Sequence, residues 1–458
     1  MSSITCFKAY DLRGRIPAEL NDDVAYRVAR GYAQFLAPKR IVVGRDIRLS
    51  SAGLADAVCR GLTDSGVDVY DIGVCGTEGV YFATFDDKAA DGGIMITASH
   101  NPPDYNGMKF VREQSKPISG DNGLQEIRAF AERADFPAPA RAGTRHRIDT
   151  TRAYVAHLLS YVDMSKLKPL RIVVNAGNGG AGLIIDELEP HLPFTFVKVH
   201  HEPDGHFPNG IPNPMLEENR APTVEAIRRH GADFGVAWDG DFDRCFFFDE
   251  KGAFIEGYYI VGLLASVLLR GHAGGKVVHD PRLTWNTIEM VKANGGVPVL
   301  SKSGHAFIKQ RMREVDGVYG GEMSAHHYFQ RFAYCDSGMI PWLIVAQILC
   351  ETGRPLSGLV RDRIGLFPVS GELNYRVPDA KATIAAIEAR YAPQAVALDR
   401  TDGVSFEFAD WRFNLRSSNT EPLIRLNVEA RGSQNLMHEK TEELLAVLRS
   451  QGAVAADH

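Results

Sequence analysis

The chain has 458 residues, 45% hydrophobic and 24% charged, with a formal net charge of −6 at pH 7. That length predicts about three domains, and the ordinary balance of apolar and charged residues excludes a largely disordered chain. An isoelectric point near 6.2 leaves no general basic field for nucleic acid or anionic membrane, so any positive potential must be local.

Met1 to Lys8 lacks the continuous apolar core of a secretory signal, so mature protein is expected from the first residue. The longest apolar runs, near Ile260 to Leu269 and Trp342 to Cys350, are about half the length needed to cross a bilayer and predict buried helices rather than membrane spans. Cysteines at 6, 59, 75, 245, 335 and 350 show no close pairing. They fit reduced core thiols in the cytoplasm better than a disulfide framework or a zinc site.

One pattern recurs three times in kind: a short β-branched strand, a helical stretch, and a later strand that breaks into a polar loop. The first copy runs from Arg40-Ile41-Val42-Val43-Gly44 through a helix around Leu54 to Gly61, and ends at Ile94-Met95-Ile96 before Thr97-Ala98-Ser99-His100-Asn101-Pro102. The second begins Arg171-Ile172-Val173-Val174-Asn175, passes Leu183 to Leu188, and ends at Val236-Ala237-Trp238 before Asp239-Gly240-Asp241-Phe242-Asp243-Arg244. The third begins Lys276-Val277-Val278-His279, passes a helix around Thr287 to Lys292, and ends in Gly321-Glu322-Met323-Ser324-Ala325-His326. Such alternation implies parallel sheets with right-handed crossovers, which would bring the three loops out at carboxyl edges and let them face one cleft. From about Arg361 the pattern changes. Ser405 to Phe408 and Trp411 to Leu415 alternate as antiparallel strands, and Leu436 to Leu448 predicts a closing amphipathic helix, so a separate α+β domain is expected.

The serine loop offers a hydroxyl nucleophile, although Ser, Asn and Pro are also ordinary turn residues. Its position just past a buried strand is where α/β sheets bind ligands. In the acidic loop, Asp239, Asp241, Asp243 and Glu250 match four positions of an EF-hand. Arg244 stands where that loop needs Gly, however, and the flanks read as strands, so the EF-hand is rejected. Three alternating carboxylates can instead converge on one hard cation, such as Mg²⁺, and leave room for a phosphate oxygen. A solvated acidic turn is the plain alternative. The loop Arg416-Ser417-Ser418-Asn419-Thr420-Glu421-Pro422 supplies a guanidinium, hydroxyls and an amide suited to phosphate, or else forms a polar hairpin.

These four loops in this order resemble the α-D-phosphohexomutase family, most nearly its bacterial phosphomannomutase/phosphoglucomutase group, over nearly the whole chain. The resemblance implies three related parallel or mixed-sheet α/β domains (1–147, 148–250 and 251–360) and a C-terminal α+β domain (361–458) around a central cleft. It implies that Ser99 carries a phosphoryl group and completes a Mg²⁺ shell with Asp239, Asp241 and Asp243. Glu322 and Ser324 would grip sugar hydroxyls, while Arg416, Ser418, Asn419 and Thr420 would hold the phosphate that is not being transferred. Arg13 and Tyr10, from Tyr10-Asp11-Leu12-Arg13-Gly14, belong to the family pattern, as do Lys109 and Arg244; the three cations would border the transferring group. His326 becomes a candidate general acid/base, with a structural His as the alternative, and His327 is read as incidental. Arg282 and His305 fall at substrate-contact positions by a looser likeness, because Lys is more familiar at the first. Ala325 stands where Gly is common.

The implied reaction moves phosphate between O1 and O6 of a hexose through a hexose 1,6-bisphosphate, with mannose and glucose phosphates both expected as substrates. Supply of GDP-mannose for surface polysaccharide follows by resemblance alone. Phosphoglucosamine mutase is the nearest rival, disfavoured because those relatives usually have Gln at the position of Met323. A silent sugar-phosphate-binding protein is a second rival, against which the intact Ser99 and the three aspartates count. Small-molecule hexose phosphates are the only partners expected, and the sequence does not specify an oligomeric state.

Overall fold

The computed structural model describes residues 3–87, 90–417 and 423–456. Contacts divide the chain into two compact units: Met1–Phe254 with Arg331–Gly353, and Ile255–Gln330 with Arg354–His458.

The first unit contains two mixed sheets. In one, the parallel strands Asp68–Val74, Arg40–Arg45 and Gly92–Ile96 lie side by side, and Tyr105–Arg112 returns antiparallel against Gly92–Ile96. In the other, Thr195–Val199, Arg171–Asn175 and Phe234–Trp238 are parallel, and Cys245–Phe248 returns antiparallel. The second unit repeats this order with Val297–Leu300, Lys276–His279 and Gly317–Gly321, followed by the antiparallel return His327–Phe329. The sequence repeat is therefore a repeated four-strand order. Each polar loop of the repeat is the connection between the last parallel strand and its antiparallel return, which is why the sheets are mixed rather than wholly parallel.

Helices cover these sheets where the periodicity places them: Ser51–Thr63, Ala181–Leu188 and Trp285–Ala293. The apolar runs form Gly257–Leu268 and Ile340–Thr352, each almost wholly buried, and among the described residues no helix is long and apolar enough to cross a membrane. All six cysteines are free, five of them buried and Cys75 half-buried. The tail forms an antiparallel sheet in the order Ala397–Asp399, Val404–Glu407, Trp411–Ser417, Leu423–Ala430, Leu373–Arg376, Val454–Ala455, with the helix Gln434–Ser450 packed on it.

Within the second unit one buried carboxylate ties the tail sheet to the third repeat. Glu429 accepts from the backbone N–H of Thr284 at 2.7 Å and of Trp285 at 3.3 Å, and from Arg412 at 2.7 Å; Tyr258 donates its hydroxyl to the same group. A carboxylate at the start of the Trp285–Ala293 helix satisfies orphan donors and complements the helix dipole. Arg412 in turn donates to the carbonyl oxygens of Pro281 and Arg282, fixing the loop that carries Arg282. Glu429→Ala leaves Arg412 buried without its counter-ion, so it is expected to destabilise this unit by about 3 to 5 kcal/mol. Urea unfolding followed by tryptophan fluorescence measures the loss.

Candidate active site

The serine and acidic loops meet inside the first unit. Ser99 takes the left-handed backbone region at φ 48°, uncommon for a residue with a side chain, and its carbonyl is held by Arg48 at 3.0 Å. Arg48 also donates to the carbonyls of Asn101, Pro102 and Tyr105, so one buried guanidinium organises the whole turn. The Ser99 hydroxyl donates to Asp239 at 2.8 Å. A Cβ on Gly240 would stand 2.5 Å from the Ser99 carbonyl oxygen, so only glycine lets the two loops approach this closely. Phe242, also left-handed at φ 44°, is held by burial in the core.

Asp239, Asp241 and Asp243 are at most 2% exposed, and each has a carboxylate oxygen within 4.8 Å of the others. Two cations neutralise them. Lys109 donates to Asp241 at 2.8 Å and Asp243 at 2.5 Å, and Arg244 donates to Asp239 at 2.7 Å. Burial pushes the Asp243 carboxyl well up, with repulsion from Asp241 adding to it, and burial also raises Asp239. Asp241 moves the other way: burial opposes its charge, but Lys109 and the Thr77 hydroxyl hold it down as the charged member of the pair. Burial likewise opposes the Lys109 charge, yet Asp241 and Asp243 push its ammonium up.

The donor set is all oxygen, as a hard cation requires, and Oδ1 of Asp241 is buried with no hydrogen-bond partner among the described residues. The residues therefore fit Mg²⁺.

Arg13 lies on the strand Leu12–Arg15 beside the Lys109 strand, bonded to Asp11 at 2.8 Å and Asn101 at 3.3 Å; Tyr10 is half-buried in the preceding bend. His100 escaped the sequence reading although it sits in the serine motif. Its Nδ1 is 2.5 Å from Arg244 and 3.0 Å from the Ser99 hydroxyl. A guanidinium only donates, so Nδ1 carries a lone pair. Burial, then Arg244 and Arg13, holds this imidazole neutral.

The second unit holds the remaining candidates. The loop 322–326 is closed by Glu322, whose backbone N–H donates to the His326 carbonyl, and by Ala325 in the left-handed region at φ 68°. That conformation explains why Gly would be at home there. Glu322 is gripped by Tyr328 at 2.5 Å, by the Gly304 backbone N–H at 2.8 Å and by Arg282 at 3.3 Å. Arg282 also reaches Ser324 at 3.2 Å, Asp280 at 2.9 Å and Glu372 at 3.4 Å. His326 is half-buried, its Nδ1 3.5 Å from the Ser324 hydroxyl, and His305 opens the helix His305–Val315 next to Gly304. His327 is buried against the Tyr319 hydroxyl at 2.6 Å and pushed down to about 3 by burial, which suits a structural residue. Arg416 is the penultimate residue of the strand Trp411–Ser417 and donates to Glu372 at 3.2 Å. Ser418, Asn419 and Thr420 lie outside the described residues.

Comparison with known proteins decides the family. Models of the phosphoglucomutase/phosphomannomutase α/β/α domains I, II and III match residues 5–138, 152–252 and 256–367, and the model of the C-terminal domain matches 372–447. The chain belongs to the phosphoglucomutase/phosphomannomutase family. It is similar to a phosphomannomutase of Escherichia coli, 59% identical over 98% of this chain and 100% of that protein. It is also similar to the phosphohexose mutases of Xanthomonas campestris pv. campestris, 60% identical over 98% and 100%. A crystal structure of a phosphoglucomutase/phosphomannomutase family protein from Burkholderia thailandensis superposes with a TM-score of 0.89 at 30% identity, covering 100% of this chain and 99% of that one.

Glu372 makes one electrostatic consequence testable. Burial opposes its charge, but Arg282, Arg416 and Arg425 hold the carboxyl down to about 2, against an ordinary 4.5. A depressed acid stabilises the fold fully above about pH 4.5, and this stability is lost as pH falls through about 2. Glu372→Gln is therefore expected to flatten the dependence of stability on pH in that window while lowering stability at pH 7. Urea midpoints at several pH values check both.

Proposed function

We propose that this chain reversibly transfers phosphate between O1 and O6 of a hexose, with mannose phosphates and also glucose phosphates as substrates. The carrier is a phosphoserine at Ser99 and the intermediate a hexose 1,6-bisphosphate, which also restores phosphate to dephosphorylated enzyme. The observation that carries this reading is the Ser99 hydroxyl 2.8 Å from Asp239, within a water-poor cluster of three carboxylates and two cations.

In the forward direction a sugar hydroxyl attacks the phosphorus of phosphoserine 99. The new sugar O–P bond forms as the Ser99 Oγ–P bond breaks; the sugar hydroxyl proton passes to a base, for which His326 is the candidate, and one proton returns to Ser99 Oγ to restore the serine hydroxyl. Lys109, Arg13 and Arg244 offset charge on the transferring oxygens, where catalysis of this reaction type mainly resides. Glu322 and Ser324 hold sugar hydroxyls with Arg282, His305 and Tyr10 as further substrate contacts. Arg416, Ser418, Asn419 and Thr420 hold the second phosphate. After the intermediate turns over, that phosphate returns to Ser99. Asp239, Asp241, Asp243 and the Ser99 phosphate would hold Mg²⁺, which when bound withdraws charge from the phosphoryl oxygens.

We place the domain limits at 1–147, 148–250, 251–360 and 361–458. Six free thiols suit the reducing cytoplasm, and a product such as mannose 1-phosphate suits GDP-mannose supply.

Ser99→Ala is expected to lower turnover on the order of 10³-fold or more, and wild-type protein to contain a species heavier by one phosphoryl group on the Ser99 peptide. Chelation of divalent cations should stop turnover, and Mg²⁺ should restore it. A panel of mannose, glucose and glucosamine 1-phosphates tests the substrate range. Preference for glucosamine phosphate would replace the mannose reading, and full activity of Ser99→Ala without added bisphosphate would remove the phosphoserine.

A further inference from the structure

Thr77 lies outside the four motif loops and has no part in the reaction described above. It is the first residue of the helix Thr77–Asp86 and is fully buried. A threonine at a helix start commonly turns its hydroxyl onto the helix's own backbone, and here it does not. Its hydroxyl donates to Oδ2 of Asp241 at 2.6 Å and accepts from Lys109 at 3.2 Å, while its backbone N–H donates to the Asp241 carbonyl at 3.1 Å.

These contacts divide the Asp241 carboxylate into two unlike oxygens. Oδ2 receives both the Thr77 hydroxyl and the Lys109 ammonium, at 2.6 and 2.8 Å. Oδ1 is buried and has no hydrogen-bond partner among the described residues. A fully buried carboxylate oxygen left without a donor is costly unless something else satisfies it. The neighbouring backbone is shaped to keep the loop in place: a Cβ on Gly76 would come within 2.3 Å of the Phe242 ring, so glycine there admits the residue next to Asp241.

We infer that Thr77 is a positioning residue of the cation site: by holding Oδ2 of Asp241 it leaves Oδ1 as the oxygen available to a divalent ion. This rests on the reading of the acidic loop as a Mg²⁺ site. Partners that orient a metal ligand typically change metal affinity about 10- to 100-fold when removed. Lys109 alone is a poor substitute, because its flexible ammonium is shared with Asp243 and imposes no single orientation.

The test is titration of the full-length, dephosphorylated protein with Mn²⁺, reading free ion by electron paramagnetic resonance. Thr77→Val and Thr77→Ala remove the hydroxyl with different packing costs, so one reads the effect if the other fails to fold. Both should weaken Mn²⁺ binding about tenfold or more, while Thr77→Ser should stay within about twofold of wild type. Asp241→Asn is the control. Wild-type protein that binds no Mn²⁺ through Asp241 would remove the cation site itself. Wild-type affinity in Thr77→Val or Thr77→Ala, or a Thr77→Ser as weak as either, would leave the cation site standing and overturn the role of Thr77.

Discussion

Three carboxylates packed beside a serine, almost out of contact with water, form the constraint on which the first unit depends. An unpaired buried charge costs several kcal/mol, so the aspartates of this loop can coexist only if cations reach them. The chain supplies those cations from different places. Lys109 comes from the strand returning after the serine loop, and Arg244 from the end of the acidic loop itself. The two loops are thereby locked together with glycine at their point of closest approach, and Ser99 is left facing Asp239. Low water content strengthens every charge interaction in such a site and would protect the proposed phosphoserine from hydrolysis.

The second unit solves a similar problem with arginine. Asp280, Glu322 and Glu372 surround Arg282, and Glu372 also meets Arg416 and Arg425. Behind this network Glu429 and Arg412 hold the loop that presents Arg282. Planar guanidinium groups fixed from several sides are well prepared to receive phosphate or hydroxyl oxygens without reorganising. Rigid support also bears on the single departure in the loop 322–326. Ala325 adopts a left-handed backbone that glycine enters freely, and an alanine there narrows the choices of the unfolded chain at the expense of some local strain.

Much of this was legible in the sequence because the chemistry is local. Three aspartates at alternate positions and a serine just past an apolar strand declare themselves within a few residues. The strand and helix periods likewise placed Ser51–Thr63, Phe234–Trp238 and Gln434–Ser450 with small errors at the ends. The residues that escaped act at a distance. Thr77 meets Asp241 across 164 positions, and Glu372 meets Arg282 across 90, so neither has a local signature. His100 was in view within the motif, but its bond to Arg244 spans 144 positions and only the fold shows it. The antiparallel returns were hidden for a related reason: a strand buried on both faces carries no alternation from which its direction could be read.

The proposed passage of phosphate through Ser99 to the sugar can be followed in a single-turnover transfer. Enzyme labelled with ³²P at Ser99 by way of labelled hexose 1,6-bisphosphate is freed of small molecules and mixed with unlabelled mannose 1-phosphate in Mg²⁺. Label is expected to leave the protein at the rate of the first turnover and to be recovered in hexose phosphates rather than as inorganic phosphate. Label that stays on Ser99 while mannose 6-phosphate accumulates would contradict it.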